Sequence, residues 1–171
     1  MSTLVLTVIG DDRPGLVDVL SGLVTAHGGS WEHSRMARLG GKFAGIVQVE
    51  VPEQEVGGLR AALRELGELG LLHITVDGAG DDRVPDGARV GLELVGSDQP
   101  GLVHAVSAAL AALGASIEEL STAMRDAPMG GGLMFEASAI VVLPAALSID
   151  DLRTHLEAVA SHLMVDLALS E

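Results

Sequence analysis

The run Asp12-Arg13-Pro14-Gly15-Leu16-Val17 returns as Asp98-Gln99-Pro100-Gly101-Leu102-Val103, 86 positions later in a chain of 171 residues. Aligned without gaps from Leu6/Leu92 to Glu32/Glu118, the two copies agree at 12 of 27 positions. A repeat with a period of half the chain means two copies of one small unit, because each copy must fold by the same rules. We expect a first domain at 1–78, a linker at 79–88 and a second domain at 89–171. Units of this size bury a limited fraction of their surface, so each is expected to lean on a neighbour.

Within the first copy, Leu4 to Ile9 is a short apolar, β-branched run and reads as a strand. Gly10 to Arg13 form a turn, and Pro14 suits the first position of a helix, with Asp12 as a capping acid. Leu16, Val17, Leu20, Leu23 and Val24 repeat at helical spacing, and Gly28 and Gly29 end the helix. Ser30 to Leu39 is a second strand, less regular in its alternation. Gly40, Gly41 and Lys42 make a hairpin turn into a third strand, where Phe43, Gly45, Val47, Val49 and Val51 alternate with polar positions. Pro52 opens a second helix striped by Val56, Leu59, Leu63 and Leu66, and Leu71 to Val76 is the last strand.

The second copy repeats this order. Strands are expected at Arg89 to Val95, Ser116 to about Arg125, Met134 to Leu143 and Met164 to Leu169. Its helices run from Pro100 to Leu113 and, after a Ser148/Asp151 capping box, to Ser161. About six extra residues around Asp126 to Gly131 lengthen the middle hairpin, and residues 77–88, rich in Gly and Asp, fit a connection. The order βαββαβ gives an α+β fold: two tandem ferredoxin-like units, each an antiparallel four-stranded sheet with both helices on one face.

Composition removes several functions. The sequence contains no Cys, so thiolate metal sites and thiol nucleophiles are excluded. A net charge of −14, with ten basic residues scattered among 24 acids, argues against direct nucleic-acid binding. No basic leader precedes Asp11 and no apolar run approaches ~20 residues, so a cytoplasmic protein without membrane contact is expected. The six histidines lack metal-ligand spacing. Ser30 and His33, three apart on a strand, are expected on opposite faces, and so are the adjacent Glu118 and Glu119. No nucleophile elbow or phosphate loop occurs, so neither an enzyme nor a cofactor is expected.

The strand–turn–helix is the informative site. A helix start offers unpaired N–H groups and a partial positive charge suited to a carboxylate. Pro14 has no N–H, which leaves Gly15, Leu16 and Val17 as donors.

A βαββαβ unit whose first helix is opened by Asp-Arg-Pro-Gly-Leu-Val resembles an ACT domain, a small regulatory module that senses amino acids. The stretch DDRPGLVDVLSGLVTAHGGSWEHSRMARLGGKFAGIVQV is similar to the glycine cleavage system transcriptional repressor family, whose members are two tandem ACT domains. The resemblance implies side-by-side pairing of such domains, a homodimer, and an amino acid held at the interface. It implies as ligand-binding residues Gly10, Asp12, Arg13, Gly15 and Leu16 with Ser30, and in the second copy Gly96, Asp98, Gln99, Gly101 and Leu102 with Ser116. In each case the serine comes from the adjoining copy. Backbone N–H groups would hold the carboxylate, and Asp12 or Asp98 would accept from the ammonium. This chain departs from serine-sensing members, which commonly carry Asn at the Asp12/Asp98 and Ser30/Ser116 positions and His at Gly10/Gly96.

The function so implied is non-catalytic. A small amino acid such as glycine or serine is sensed, and a partner protein is controlled, as in repression of a transcriptional activator. The alternative is a ligand-free structural module for protein interaction.

Overall fold

The computed structural model describes residues 1–80 and 86–171. It divides into two compact units, Met1–Asp82 and Arg83–Glu171. Of the expected linker at 79–88, residues 81–85 lie outside the described residues.

The first unit runs β1 (Ser2–Asp11), α1 (Leu16–Ala26), β2 (Ser30–Leu39), β3 (Lys42–Val51), α2 (Val56–Glu68) and β4 (His73–Gly78). The second runs β5 (Arg89–Ser97), α3 (Leu102–Ala112), β6 (Ser116–Asp126), β7 (Leu133–Val142), α4 (Ile149–Leu163) and β8 (Val165–Ser170). All pairings are antiparallel, in the orders β2-β3-β1-β4 and β6-β7-β5-β8. This is the α+β, ferredoxin-like arrangement expected from the element order.

Period-two alternation decides which sheet face is buried. Leu4, Leu6 and Val8 of β1 stand beside Val49, Val47 and Gly45 of β3 on one face, and the helices cover it. Leu16, Leu20 and Val24 of α1 and Leu59, Leu63 and Leu66 of α2 supply the facing stripe. In the second unit Val90, Leu92 and Leu94 meet Leu102, Val106 and Leu110 with Leu152, Leu156 and Ala160. With only three aromatic residues in the chain, these branched aliphatic side chains fill both cores, and Trp31 packs against the edge of the first.

Several local details differ from the sequence reading. Pro14 and Pro100 do not begin the helices. Gly15 and Gly101 cap them in the left-handed region, at φ 89° and 88°, so the chain becomes helical only at Leu16 and Leu102. Neither cap receives a side-chain hydrogen bond, so Asp12 is not the capping acid. Val17 is exposed rather than part of the α1 stripe. A short 3-10 turn, Glu53–Glu55, separates Pro52 from α2. β4 starts two residues late because Leu72 is buried in the turn before it.

Gly40 and Gly41 both have positive φ, giving a two-residue hairpin that leaves Lys42 in the strand. The longer hairpin of the second unit is closed by Ala127 N–H donating to Gly132 O at 2.8 Å, around a 3-10 turn at Pro128–Gly130.

Two β-bulges explain the irregular second strand of each copy. The register shifts between Trp31 and His33, and between Ile117 and Glu119. Ser30 therefore opposes Glu50 and His33 opposes Gln48, which puts Ser30 and His33 on one face, contrary to simple alternation. The expected alternation of Glu118 and Glu119 does not apply either: Glu118 is the extra residue, and its carboxylate accepts two bonds from Arg89 at 2.7 and 2.8 Å.

Two outcomes test this packing. Leu63 and Leu156 are both within 1% of full burial, so truncating either to Ala should destabilise the protein by about 2–5 kcal/mol in urea denaturation. At α4 the capping box holds: Asp151 N–H donates to Ser148 Oγ at 3.1 Å, and Ser148 Oγ donates to the Asp151 carboxylate at 2.6 Å. These bonds from Ser148 hold the Asp151 carboxyl below the usual carboxylate range. A depressed folded-state pKa stabilises above the unfolded carboxylate value of ~3.9 and is lost as pH falls through the folded value. Denaturation midpoints followed from pH 6 to pH 3 should therefore fall more steeply for the native chain than for Ser148→Ala.

Candidate functional site

The β1–α1 connection is pinned by the neighbouring hairpin. Asp12 N–H donates to Gly41 O at 3.0 Å, just beyond the last β1–β3 pair, Asp11 with Lys42. The first helical bond is Val19 N–H to Gly15 O at 3.0 Å. The N–H groups of Leu16, Val17 and Asp18 therefore precede the bonding ladder, at the positive end of the helix dipole. The Leu16 side chain is part of the core, so only its N–H can address a ligand. Asp12, Arg13, Gly15, Val17, Asp18 and Phe43 line a shallow depression in front of these groups.

Charge is concentrated here. Arg38 Nη1 donates to the Asp12 carboxylate at 3.3 Å, and Lys42 Nζ donates to the Asp11 carboxylate. Lys42 holds the Asp11 carboxyl below its usual range, first through that hydrogen bond and then through its charge. Arg13 adds a third cation and itself favours the Asp11 carboxylate. Around the turn stand three cations, Arg13, Arg38 and Lys42, and three carboxylates, Asp11, Asp12 and Asp18, of which Arg13, Asp12 and Asp18 line the depression.

The glycines divide into two kinds. A Cβ placed on Gly15 or Gly101 would meet nothing within 4 Å; their positive φ is what requires glycine. Gly10 and Gly96 are glycine for space. A Cβ at Gly10 would lie 2.5 Å from Leu71 O, and one at Gly96 would lie 2.4 Å from Val165 Cγ1. No side chain in place of Gly10 or Gly96 could reach a ligand without displacing the segment before β4 or the start of β8.

Ser30 and Ser116 are far from the turns of their own units. Ser30 opposes Glu50, whereas the turn begins beside Lys42, eight strand residues away, roughly 27 Å. Ser116 opposes Val142 and the second turn begins beside Met134, again eight residues off. Neither serine can meet the turn of its own unit.

The second turn has the same backbone and different chemistry. Asp98 N–H donates to Leu133 O at 3.1 Å and Ala105 N–H to Gly101 O at 2.9 Å, while the Leu102 side chain is core. Gln99 Nε2, however, donates to Leu163 O at 2.6 Å, which ties the turn to the C-terminal end of α4. By register, Arg13, Arg38 and Lys42 correspond to Gln99, Met124 and Met134, since Arg38 and Met124 oppose Phe43 and Phe135. All three cations are absent from the second turn. Arg38 and Lys42 were not among the expected site residues. Only the register set by the Gly40–Gly41 hairpin brings them to Asp11 and Asp12, so spacing within the motif gives no hint of them.

Residues 2–76 match the ACT domain family. The glycine cleavage system transcriptional repressor of Escherichia coli (strain K12) is 31% identical over 118 residues, which is 68% of this chain and 62% of that one. The chain therefore spans somewhat under two thirds of the curated repressor's length. Among solved structures, an unknown protein from Galdieria sulphuraria is 34% identical with a TM-score of 0.87, covering 99% of this chain and 98% of that one. A candidate glycine cleavage system transcriptional repressor shares the fold at a TM-score of 0.72 and 20% identity, covering 99% and 96%. Together with the βαββαβ units and the glycine-capped turns, these similarities place the chain in the ACT domain family, as a homologue of the glycine cleavage system transcriptional repressor.

Proposed function

We propose that this protein is a non-catalytic, cytoplasmic regulator that binds a small amino acid, glycine or serine, at the β1–α1 turn and thereby changes its grip on a partner protein. The observation that carries the reading is the juxtaposition at that turn. The N–H groups of Leu16, Val17 and Asp18 face the depression beside Arg13, a donor set for a carboxylate. The Asp12 carboxylate stands beside them to accept from an ammonium. Leu16 contributes backbone only, and the depression has room for a ligand with little or no side chain.

In this reading copies of the chain pair as a homodimer, and Ser30 completes the site from the adjoining copy, since it lies eight strand residues from its own turn. A ligand seated across an interface can favour one arrangement of it over another, which is the requirement for regulation. With a net charge of −14, the output is contact with a protein regulator of transcription, by analogy with the repressor homologue, and not contact with DNA.

For the second unit the ligand-free reading is the better one. Gln99 is engaged with Leu163 O, and the cations of the first turn are replaced by Gln99, Met124 and Met134. We assign that unit a structural role.

Calorimetry with glycine, serine and a panel of other amino acids tests both assignments. One ligand per chain is expected. Asp12→Ala should weaken it by about 10- to 100-fold, the scale of one charge-assisted hydrogen bond of ~1.5–3 kcal/mol. Gly15→Val, which forces a β-branched residue into positive φ, should abolish the response, whereas Gln99→Ala should leave affinity unchanged. Circular dichroism confirms that each variant is folded. No heat and no thermal shift with any amino acid would refute the sensing role and leave the ligand-free module.

A further inference from the structure

The first turn is held from outside by a residue of the neighbouring hairpin. Arg38 lies near the end of β2 opposite Phe43, which is itself opposite Gly10, so the three form a row across β2, β3 and β1 on the helix side of the sheet. From that row the guanidinium reaches the turn, where Nη1 donates to the Asp12 carboxylate at 3.3 Å. Asp12 and Phe43 line the depression, and Arg38 meets Asp12 from its outer side.

The contact is loose. Arg89 grips Glu118 with two bonds of 2.7 and 2.8 Å, and Arg125 holds Glu136 at 2.6 Å. Arg38 makes a single, longer contact, beyond the ~2.7–2.9 Å of a good charge-assisted bond. The two partners are also unequally held. Asp12 is tied by its backbone to Gly41 O, and its side chain is 34% exposed. The Arg38 side chain is 72% exposed, on a long rotatable stem. When the pair opens, Arg38 is the part that moves.

We propose that Arg38 is an internal counter-ion of Asp12, displaced when the ammonium of an amino acid takes that carboxylate. Arg38 thereby holds down the affinity of the first turn for amino acids, and not for carboxylic acids that lack an amino group. The inference rests on the reading of this turn as an amino-acid site. A ligand anchored by its carboxylate at the N–H groups of Leu16, Val17 and Asp18 presents its ammonium to Asp12 as though at high concentration. The ammonium is compact and has three donors, whereas Arg38 must immobilise a long side chain to keep one bond. Glycolate, of the same size as glycine, brings no cation and leaves the pair in place.

The second copy supports this role. It keeps the acid, as Asp98, but has Met124 in place of Arg38 and Gln99 in place of Arg13. A cation that served only to balance the acid would be wanted in both copies. It occurs in the copy whose turn also has the cation for a ligand carboxylate. Displacement frees a guanidinium at the surface of a chain of net charge −14, so occupancy of the turn changes where positive charge is available.

Calorimetry of the full chain with glycine and with glycolate tests the exchange. Arg38→Gln, at a position exposed enough to spare the fold, should tighten glycine about two- to fivefold, the scale of an exposed ion pair, and should not tighten glycolate. In an Asp12→Asn background the same substitution should give no tightening, because the contested carboxylate is gone. Circular dichroism checks that each variant is folded. If the native chain binds glycine and Arg38→Gln binds it no more tightly, the proposal is overturned and the sensing role stands. Equal tightening of glycine and glycolate, or tightening that survives Asp12→Asn, also overturns it. If the native chain gives no heat with glycine, binding by Arg38→Gln alone still supports the proposal, and silence of both overturns it together with the sensing role.

Discussion

Each unit depends on one dry contact, that between a single sheet face and two helices. In the first unit Leu6, Val47 and Val49 meet Leu20, Leu59 and Leu63, all within 1% of complete burial. Nothing polar is buried among the described residues; the bond from Arg60 Nη1 of α2 to Val76 O of β4, at 2.7 Å, lies at the margin, and no hydrogen bond inside the core fixes the relative placement of sheet and helices. Shape and the hydrophobic effect do so. The position of α1 on that face decides where its first N–H groups point, and the candidate site inherits its geometry from packing some distance away. The turn itself adds two local constraints. The left-handed glycine starts the helix abruptly, and the bond from Asp12 to Gly41 ties the turn to the hairpin.

Duplication preserved those constraints and let the surface drift. Both copies keep the glycine cap, the close approach at Gly10 or Gly96, and a bulge two or three residues into the second strand. What differs lies on the surface, although the exposed pairs Asp12/Asp98 and Ser30/Ser116 are identical in the two copies. Where the first turn has Arg13, Arg38 and Lys42, the second has Gln99, Met124 and Met134. The amide of Gln99 then bonds to the helix-end carbonyl of Leu163, a group that otherwise lacks an intrahelical partner. The two outer strands differ in the same way at single positions: Ser34 and Arg38 of β2 stand where β6 has Leu120 and Met124.

Much of this could be read from residues alone, and the limits are physical. The strands and helices were legible because the apolar periods are clean, as in Leu4-Leu6-Val8 and Leu59-Leu63-Leu66. The repeat located the turn. Helix starts were misplaced by two residues because a Pro-Gly pair serves equally as a first helical turn or as a turn before the helix. The difference lies in the φ of Gly15, which no neighbouring residue reports. The Ser30/His33 assignment failed because a bulge reverses side-chain parity, and Glu32 carries no local mark of being the extra residue. The place of Arg38 and Lys42 at the site is a matter of strand register, which residue spacing does not carry. The separation of Ser30 from Asp12 likewise follows only from the pairing of β2 with β3.

The central claim is that the first turn, and not the second, receives the amino acid. Amide chemical shifts of the isotope-labelled full chain, followed by NMR during titration with glycine and with serine, report on that claim residue by residue. The account predicts saturable shifts at Asp12 and at Gly15 to Asp18, with Gly101 to Val103 unmoved. Shifts centred on Gly101 to Val103, or none at Gly15 to Asp18 with either amino acid at millimolar concentration, would contradict it.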